Sequence, residues 1–165
     1  MLKNIYLIGM PGCGKSTLGP VLANKLGYQW MDTDQEIYTR WGKTPEDMIK
    51  DQGEEAFRLL EKHLMETLLD TTALVVSTGG GLHMFHDWMN IMNQRGITVY
   101  LEVPVEALWE RIKRQGGRPL SKTMEDLNRL MGERKSVYEK AQIILPIEGA
   151  HQDLVSLLMK ELQKV

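Results

Sequence analysis

The chain has 165 residues, of which 42% are hydrophobic and 25% charged, and a net charge of −2. That is ordinary usage for a soluble α/β-sized domain; its apolar runs fall far short of the roughly twenty residues that span a bilayer, and its charge does not favour nucleic acid or an anionic membrane. Cys13 is the only cysteine, so no intrachain disulfide is possible, in keeping with a reducing cytoplasm. The expectation is one cytoplasmic domain over residues 1–165, monomeric, acting on small molecules, with no signal or transit peptide ahead of the first strand.

Residues 4–8 (Asn4-Ile5-Tyr6-Leu7-Ile8) form a short apolar β-prone run. Gly9-Met10-Pro11-Gly12-Cys13-Gly14-Lys15-Ser16-Thr17 follows and reads G-x-x-x-x-G-K-S. Beyond it Leu18, Val21, Leu22 and Leu26 recur at helical spacing, closed by Gly27. Strand, glycine loop, helix is the context in which this P-loop pattern is meaningful. Its glycines allow backbone N–H groups to turn inward around a polyphosphate, and the helix adds its positive N-terminal end. Gly12, Cys13, Gly14, Lys15, Ser16 and Thr17 are therefore candidates for nucleotide binding. Lys15 would reach the β/γ-phosphates, and the Ser16 hydroxyl would ligate Mg²⁺. Cys13 reads as a small variable loop residue. Pro20 removes an N–H from the first helix and is expected to bend it.

A second strand over 28–31 ends in Asp32-Thr33-Asp34, and a short helix stops at Gly42. Thr44-Pro45-Glu46-Asp47 is a helix start, with an N-cap, a proline at the first position and acids in the first turn. Residues 54–71 read as a long helix with Phe57, Leu60, Leu64, Leu68 and Leu69 as its apolar stripe, and Arg58 and Glu61 one turn apart, able to pair. Residues 73–77 are an almost wholly apolar strand, as expected for burial on both faces. It ends at Thr78-Gly79-Gly80-Gly81. A helix around 86–94, a strand over 97–101, a helix opened by Pro104, and a polar glycine-flanked loop at 116–123 follow. After a helix carrying Arg134 and Tyr138 come an edge strand over 142–147, marked by Pro146, and a last helix.

Five strands alternating with helices imply a five-stranded parallel sheet flanked on both faces, an α/β fold whose right-handed crossovers gather the strand C-terminal ends on one edge. Those ends carry the P-loop, Asp32/Asp34 and the triple glycine, where ligands bind in such sheets. On an extended backbone Asp32 and Asp34 face the same way. Asp32 would hold Mg²⁺ through a water and Asp34 would face the acceptor, a role compatible with capping the next helix. Gly79-Gly80-Gly81 would let a ligand approach the backbone closely. Composition alone does not pick out Arg58 or Arg134, and His83 and His86 read as cap or surface residues.

The P-loop, D-T-D at 32–34, F-R-x-x-E at 57–61, T-G-G-G at 78–81, R-P-L at 118–120 and E-R-x-x-x-Y at 133–138 together resemble the shikimate kinase family, over residues 5–147. The resemblance implies a P-loop kinase that transfers the γ-phosphate of ATP to the 3-hydroxyl of shikimate, with Mg²⁺, in aromatic amino-acid biosynthesis. It implies that Asp34, Arg58, Gly80, Gly81 and Arg134 hold shikimate. Lys15, Ser16 and Asp32 match the phosphate and metal positions, and Arg118 a lid arginine that closes over ATP. Arg114 resembles the residue that stacks on adenine, and Lys15, Asp34 and Arg118 are the catalytic candidates. The usual R-P-L-L reads Arg118-Pro119-Leu120-Ser121 here, and residues 148–151 show no alignable pattern. The alternatives are a small kinase for another polyol acid, such as gluconate, and a nucleotide-binding module without catalysis.

Overall fold

Strands buried on both faces need no polar side, and the three most apolar runs take the middle of the sheet. The computed structural model describes residues 2–114, 123–148 and 153–165. In it β1 (Asn4–Ile8) and β3 (Leu74–Ser77) are buried at every position, and β4 (Gly96–Glu102) at all but two. With β2 (Gln29–Asp32) and β5 (Ile143–Pro146) they form a five-stranded parallel sheet in the order β2-β3-β1-β4-β5. Pro146 ends an edge strand, as expected. The chain leaves β1 for the β2 edge, returns to β3, and only then crosses to β4. That reversal opens a crevice beyond the C-terminal end of β1.

Among the described residues eight helices surround the sheet: α1 (Lys15–Leu26), α2 (Thr33–Trp41), α3 (Pro45–Gln52), α4 (Glu54–Leu68), α5 (Trp88–Arg95), α6 (Val105–Arg114), α7 (Met124–Tyr138) and α8 (Leu154–Leu162). None among the described residues is long and apolar enough to cross a membrane. Local chemistry sets their ends. The Thr44 and Thr123 side chains accept from the backbone N–H groups of Asp47 and Asp126, and Gly27 and Gly42 close α1 and α2 in the left-handed region. Most buried apolar side chains form one core around the sheet. Ile37, Met48, Phe57 and Leu64 form a second, small core that binds α2, α3 and α4 to one another.

Three expectations are corrected. The long helix α4 ends at Leu68 rather than near 71, where the Asn4 amide donates to the Leu68 and Thr71 carbonyls and satisfies the freed acceptors. The helix expected from 86 begins at Trp88, because His86 and Asp87 sit at φ 52° and 57°, and a 3₁₀ turn (Leu82–Met84) precedes them. Val21, counted on the buried stripe of α1, is 55% exposed.

The contact that seats α1 on the sheet depends on a missing side chain. Trp30 Nε1 donates to Ser77 Oγ at 3.0 Å, and Ser77 Oγ donates to the Lys15 carbonyl at 2.8 Å. A Cβ on Gly19 would stand 2.3 Å from Trp30 Nε1 and 2.7 Å from Ser77 Oγ. Gly19→Ala is expected to destabilise the protein by about 1–3 kcal/mol, although alanine is the better helix former by about 1 kcal/mol. Chemical denaturation measures the difference, and a variant as stable as the parent would show that the seat is loose.

Candidate active site

The P-loop turn depends on Gly9, Gly12 and Gly14, at φ +144°, +82° and +108°, where a side chain would be strained. Inside it Lys15 is 7% exposed. Its Nζ donates to the Gly9 and Met10 carbonyls at 2.9 and 3.0 Å and reaches Cys13 Sγ at 3.5 Å. Cys13, the small loop residue, is 1% exposed and packs in the loop interior.

Beside the loop, the Ser16 hydroxyl donates to Asp32 Oδ2 at 2.5 Å. Asp32 Oδ1 accepts from the backbone N–H groups of Asp34 and Gln35, which makes Asp32 the N-cap of α2. The extended D-T-D expected from the sequence is therefore corrected: Thr33 and Asp34 already belong to the helix. Both carboxylates still reach the site, from a strand end and a first helical turn. Thr33 Oγ1 accepts from the Gly79 N–H at 2.8 Å and ties this corner to the triple glycine.

At 79–81 the glycines serve close approach. A Cβ on Gly79 would lie 2.6 Å from Asp34 Oδ1, and one on Gly80 2.9 Å from the Pro11 ring. One on Gly81 would lie 3.1 Å from Arg58 Nη2 and 3.2 Å from Arg134 Nη2. Two guanidiniums, from α4 and α7, thus meet over one backbone turn. Arg134 Nη1 and the Tyr138 hydroxyl both donate to the Gly80 carbonyl, at 3.0 and 2.8 Å. Arg58 donates to Glu61 at 2.5 Å and to Glu54 at 3.1 Å.

Burial and charge shift the titrating groups here. Burial raises the Glu61 carboxyl to about 7, against the opposing pull of Arg58. Burial also lowers His83 to about 3, helped by the nearby cations Arg134, Lys15 and Arg58. His83 is 3% exposed and its ring lies tilted against that of Tyr138, centroids 4.1 Å apart, so the cap or surface role expected for it is corrected too. Burial raises the Tyr138 phenol further above its usual range.

One cavity of about 740 Å³ is lined by Gly12, Cys13, Gly14, Lys15, Ser16, Thr17, Asp32, Asp34, Arg58, Gly80, Gly81 and Arg134. Arg118 and residues 116–122 of the expected lid lie outside the described residues, as do residues 149–152 of the late loop. Arg114, expected at the adenine, is exposed at the last position of α6 and does not line the cavity. Arg111, which the sequence reading missed, does: its Nη1 donates to the Cys13 carbonyl at 3.2 Å. The missed signal is its place beside Ile112 on the buried face of α6. Asp153, Leu154 and Val155 close the same wall from the start of α8.

A family model described as "Shikimate kinase" matches residues 11–163. The shikimate kinase of Persephonella marina is 42% identical over 149 residues, covering 90% of this chain and 91% of that protein. That of Aquifex aeolicus is 35% identical over 160 residues, covering 96% and 95%. The crystal structure of the Bacteroides thetaiotaomicron shikimate kinase superposes with a TM-score of 0.92 at 31% identity over 99% of both chains. The Acinetobacter baumannii shikimate kinase, solved in complex with shikimate, superposes at 0.86 with 36% identity, covering 99% of this chain and 93% of that one. On its matched length, its fold and the elements that meet over the triple glycine, the chain belongs to the shikimate kinase family.

Proposed function

We propose that this chain transfers the γ-phosphate of ATP to the 3-hydroxyl of shikimate, giving shikimate 3-phosphate and ADP. The observation that carries this reading is the meeting of Arg58 and Arg134 over Gly81, in the cavity that also holds the P-loop. Two guanidiniums offer forked, charge-assisted hydrogen bonds to the carboxylate of the acceptor. Asp34, against Gly79, accepts from the ring hydroxyls and takes the proton of the attacking one. The Gly80 and Gly81 N–H groups complete the acceptor site. The P-loop residues Gly12, Cys13, Gly14, Lys15, Ser16 and Thr17 cradle the polyphosphate, and Lys15 neutralises charge on the group in transit.

Ser16 Oγ and Asp32 Oδ2 are adjacent hard oxygen donors at the N-terminus of α1, which suits Mg²⁺. Among the described residues no group of three or more His, Cys, Asp or Glu could hold a metal. That too suits an ion held by few side chains together with phosphates and water. Bound there, the ion supplies neutralisation of charge on the β- and γ-phosphate oxygens. On the family pattern Arg118 would add a cation from the lid, and Arg111 joins Arg114 as a candidate for the adenine. ADP release measured with shikimate, gluconate and nucleoside monophosphates in turn tests the assignment, and it fails if shikimate is not the preferred acceptor.

Lys15→Ala is expected to lower turnover by at least about a hundredfold, the scale of one lost transition-state donor, with the thermal melt still cooperative. Near-normal turnover in the folded variant contradicts the role. Arg58→Ala and Arg134→Ala are each expected to weaken shikimate binding roughly tenfold to a hundredfold and ATP binding little. Because Glu61 titrates near neutrality, losing Arg58 leaves a carboxyl that can take a proton and not a stranded charge. Titration of each variant with both ligands separates the roles, and a loss confined to ATP would displace the acceptor site.

Glu61 also sets a pH dependence. Between its ordinary value of 4.5 and about 7 the folded state holds a proton that the unfolded state has released. Its contribution to stability therefore falls as pH rises through that window and is constant above it. Denaturant titrations at intervals from pH 4.5 to 8 are expected to show a flatter or rising stability profile for Glu61→Gln than for the parent. Parallel profiles would mean that Glu61 titrates normally.

A further inference from the structure

Arg58 is held in its own plane by two carboxylates, one on Nη1 and one on Nη2, while its Nε is buried with no partner among the described residues. A planar guanidinium carries five in-plane donors, so two are engaged and Nε–H is one of those left. What fixes the tilt of the plane is a different contact. Arg58 Cζ lies 4.1 Å from the centroid of the Phe85 ring, nearer than the 5.1 Å to Phe57 beside it on the helix. A cation over an aromatic face is attracted by the ring quadrupole and uses none of the in-plane donors. A hydrogen-bonding partner in the same place would compete with the substrate; an aromatic face does not.

Phe85 is itself held in place. It closes the 3₁₀ turn Leu82–Met84, its N–H donating to the Leu82 carbonyl at 3.2 Å and its carbonyl accepting from the Trp88 N–H at 3.1 Å. From the same turn the His83 ring packs, tilted, on Tyr138 of α7, whose hydroxyl holds the Gly80 carbonyl that Arg134 also uses. One turn after the glycines thus touches both arginine-bearing helices, α7 through His83 and α4 through Phe85.

We propose that Phe85 is a positioning residue for the acceptor: its ring is the platform that holds the Arg58 guanidinium, opposite Arg134, in the plane that receives the acceptor's carboxylate. The inference rests on the assignment of Arg58 to the acceptor site. It commits to the face of the ring, not merely to bulk at position 85, and to an effect that passes through Arg58.

The test is steady-state kinetics on Phe85→Leu, Phe85→Tyr, Arg58→Ala and the double variant Arg58→Ala/Phe85→Leu, with shikimate and ATP varied separately. Phe85→Leu is expected to raise KM for shikimate about five- to thirtyfold, the range of a partly desolvated cation–π contact. KM for ATP should stay within about twofold, and kcat should change far less than KM for shikimate. Phe85→Tyr, which keeps the face, should stay near the parent, and Phe85→Leu should add nothing once Arg58 is gone. The proposal is overturned if leucine and tyrosine are equally impaired, if leucine is silent, if both substrates weaken together, or if the two changes are additive. Arg58→Ala strong with Phe85→Leu silent removes only this inference. Arg58→Ala without effect on shikimate removes the acceptor-site assignment with it.

Discussion

A Cβ at any of positions 79–81 would crowd a side chain of the site, and the site is arranged around that constraint. Beyond the C-terminal end of β3 the glycine backbone is approached by Asp34 from α2, Pro11 from the P-loop, Arg58 from α4 and Arg134 from α7. Each is so near that a Cβ would meet it at 2.6 to 3.2 Å. Four elements distant in sequence are therefore spaced by a common floor, and two hydrogen bonds hold that floor in register: Gly79 N–H to Thr33, and Tyr138 to the Gly80 carbonyl. At crystal-like packing density an extra carbon at such a junction displaces one of these neighbours. The glycines here buy proximity and not positive φ, which Gly9, Gly12 and Gly14 supply in the P-loop.

The same proximity creates an electrostatic problem. Lys15, Arg58 and Arg134 are all near enough to act on His83. Concentrated positive charge in a low-dielectric crevice is unfavourable until an anion arrives, and favourable for holding one. The chain tempers it by different means. Arg58 is offset by Glu61 and Glu54 and faced by Phe85, while Arg134 donates to a neutral carbonyl. His83 stays uncharged through burial, so it adds packing without a further cation. A carboxylate near neutrality at Glu61 lets the net charge of the crevice adjust by one proton, without moving an arginine.

What was legible in the sequence is what local chemistry dictates. The P-loop could be read because a strand, a glycine turn and an amphipathic helix are each local patterns. The caps at Thr44 and Thr123, the buried strand β3 and the edge position of Pro146 follow from the same kind of rule. The misreadings all concern features that need a partner from elsewhere. Nothing near position 71 signals that Asn4 ends α4. Nothing at His86-Asp87 announces left-handed backbone, so the helical spacing was extended two residues too early. Arg111 and Arg114 lie three apart on α6, and which of them reaches the P-loop depends on the rotation of that helix, set by burial of Leu108 and Ile112. Arg58, Arg134 and Tyr138 were picked out by family resemblance, because a basic residue beside an apolar stripe is by itself ambiguous. Phe85 and His83 carried no motif at all, since packing on a side chain from another helix leaves no periodic trace.

Lys15 shows how a P-loop cation is held by the backbone dipoles of its own loop. Among the described residues no carboxylate pairs with it; its partners are the Gly9 and Met10 carbonyls of its own loop. A buried ammonium with hydrogen-bonded dipoles around it is tolerable where an unpaired one would not be. The arrangement keeps the whole unit charge available, because a carbonyl dipole competes with a phosphate oxygen far less well than a carboxylate does. Had Asp32 or Asp34 paired with Lys15, polyphosphate binding would first have had to break a buried ion pair. Instead Asp32 is engaged by the α2 N-terminus and the Ser16 hydroxyl, and Asp34 stands over Gly79. The helix that begins at Thr33 therefore does more than cap itself. By taking Asp32 as its N-cap it commits that carboxylate to the helix end and to Ser16, and not to Lys15.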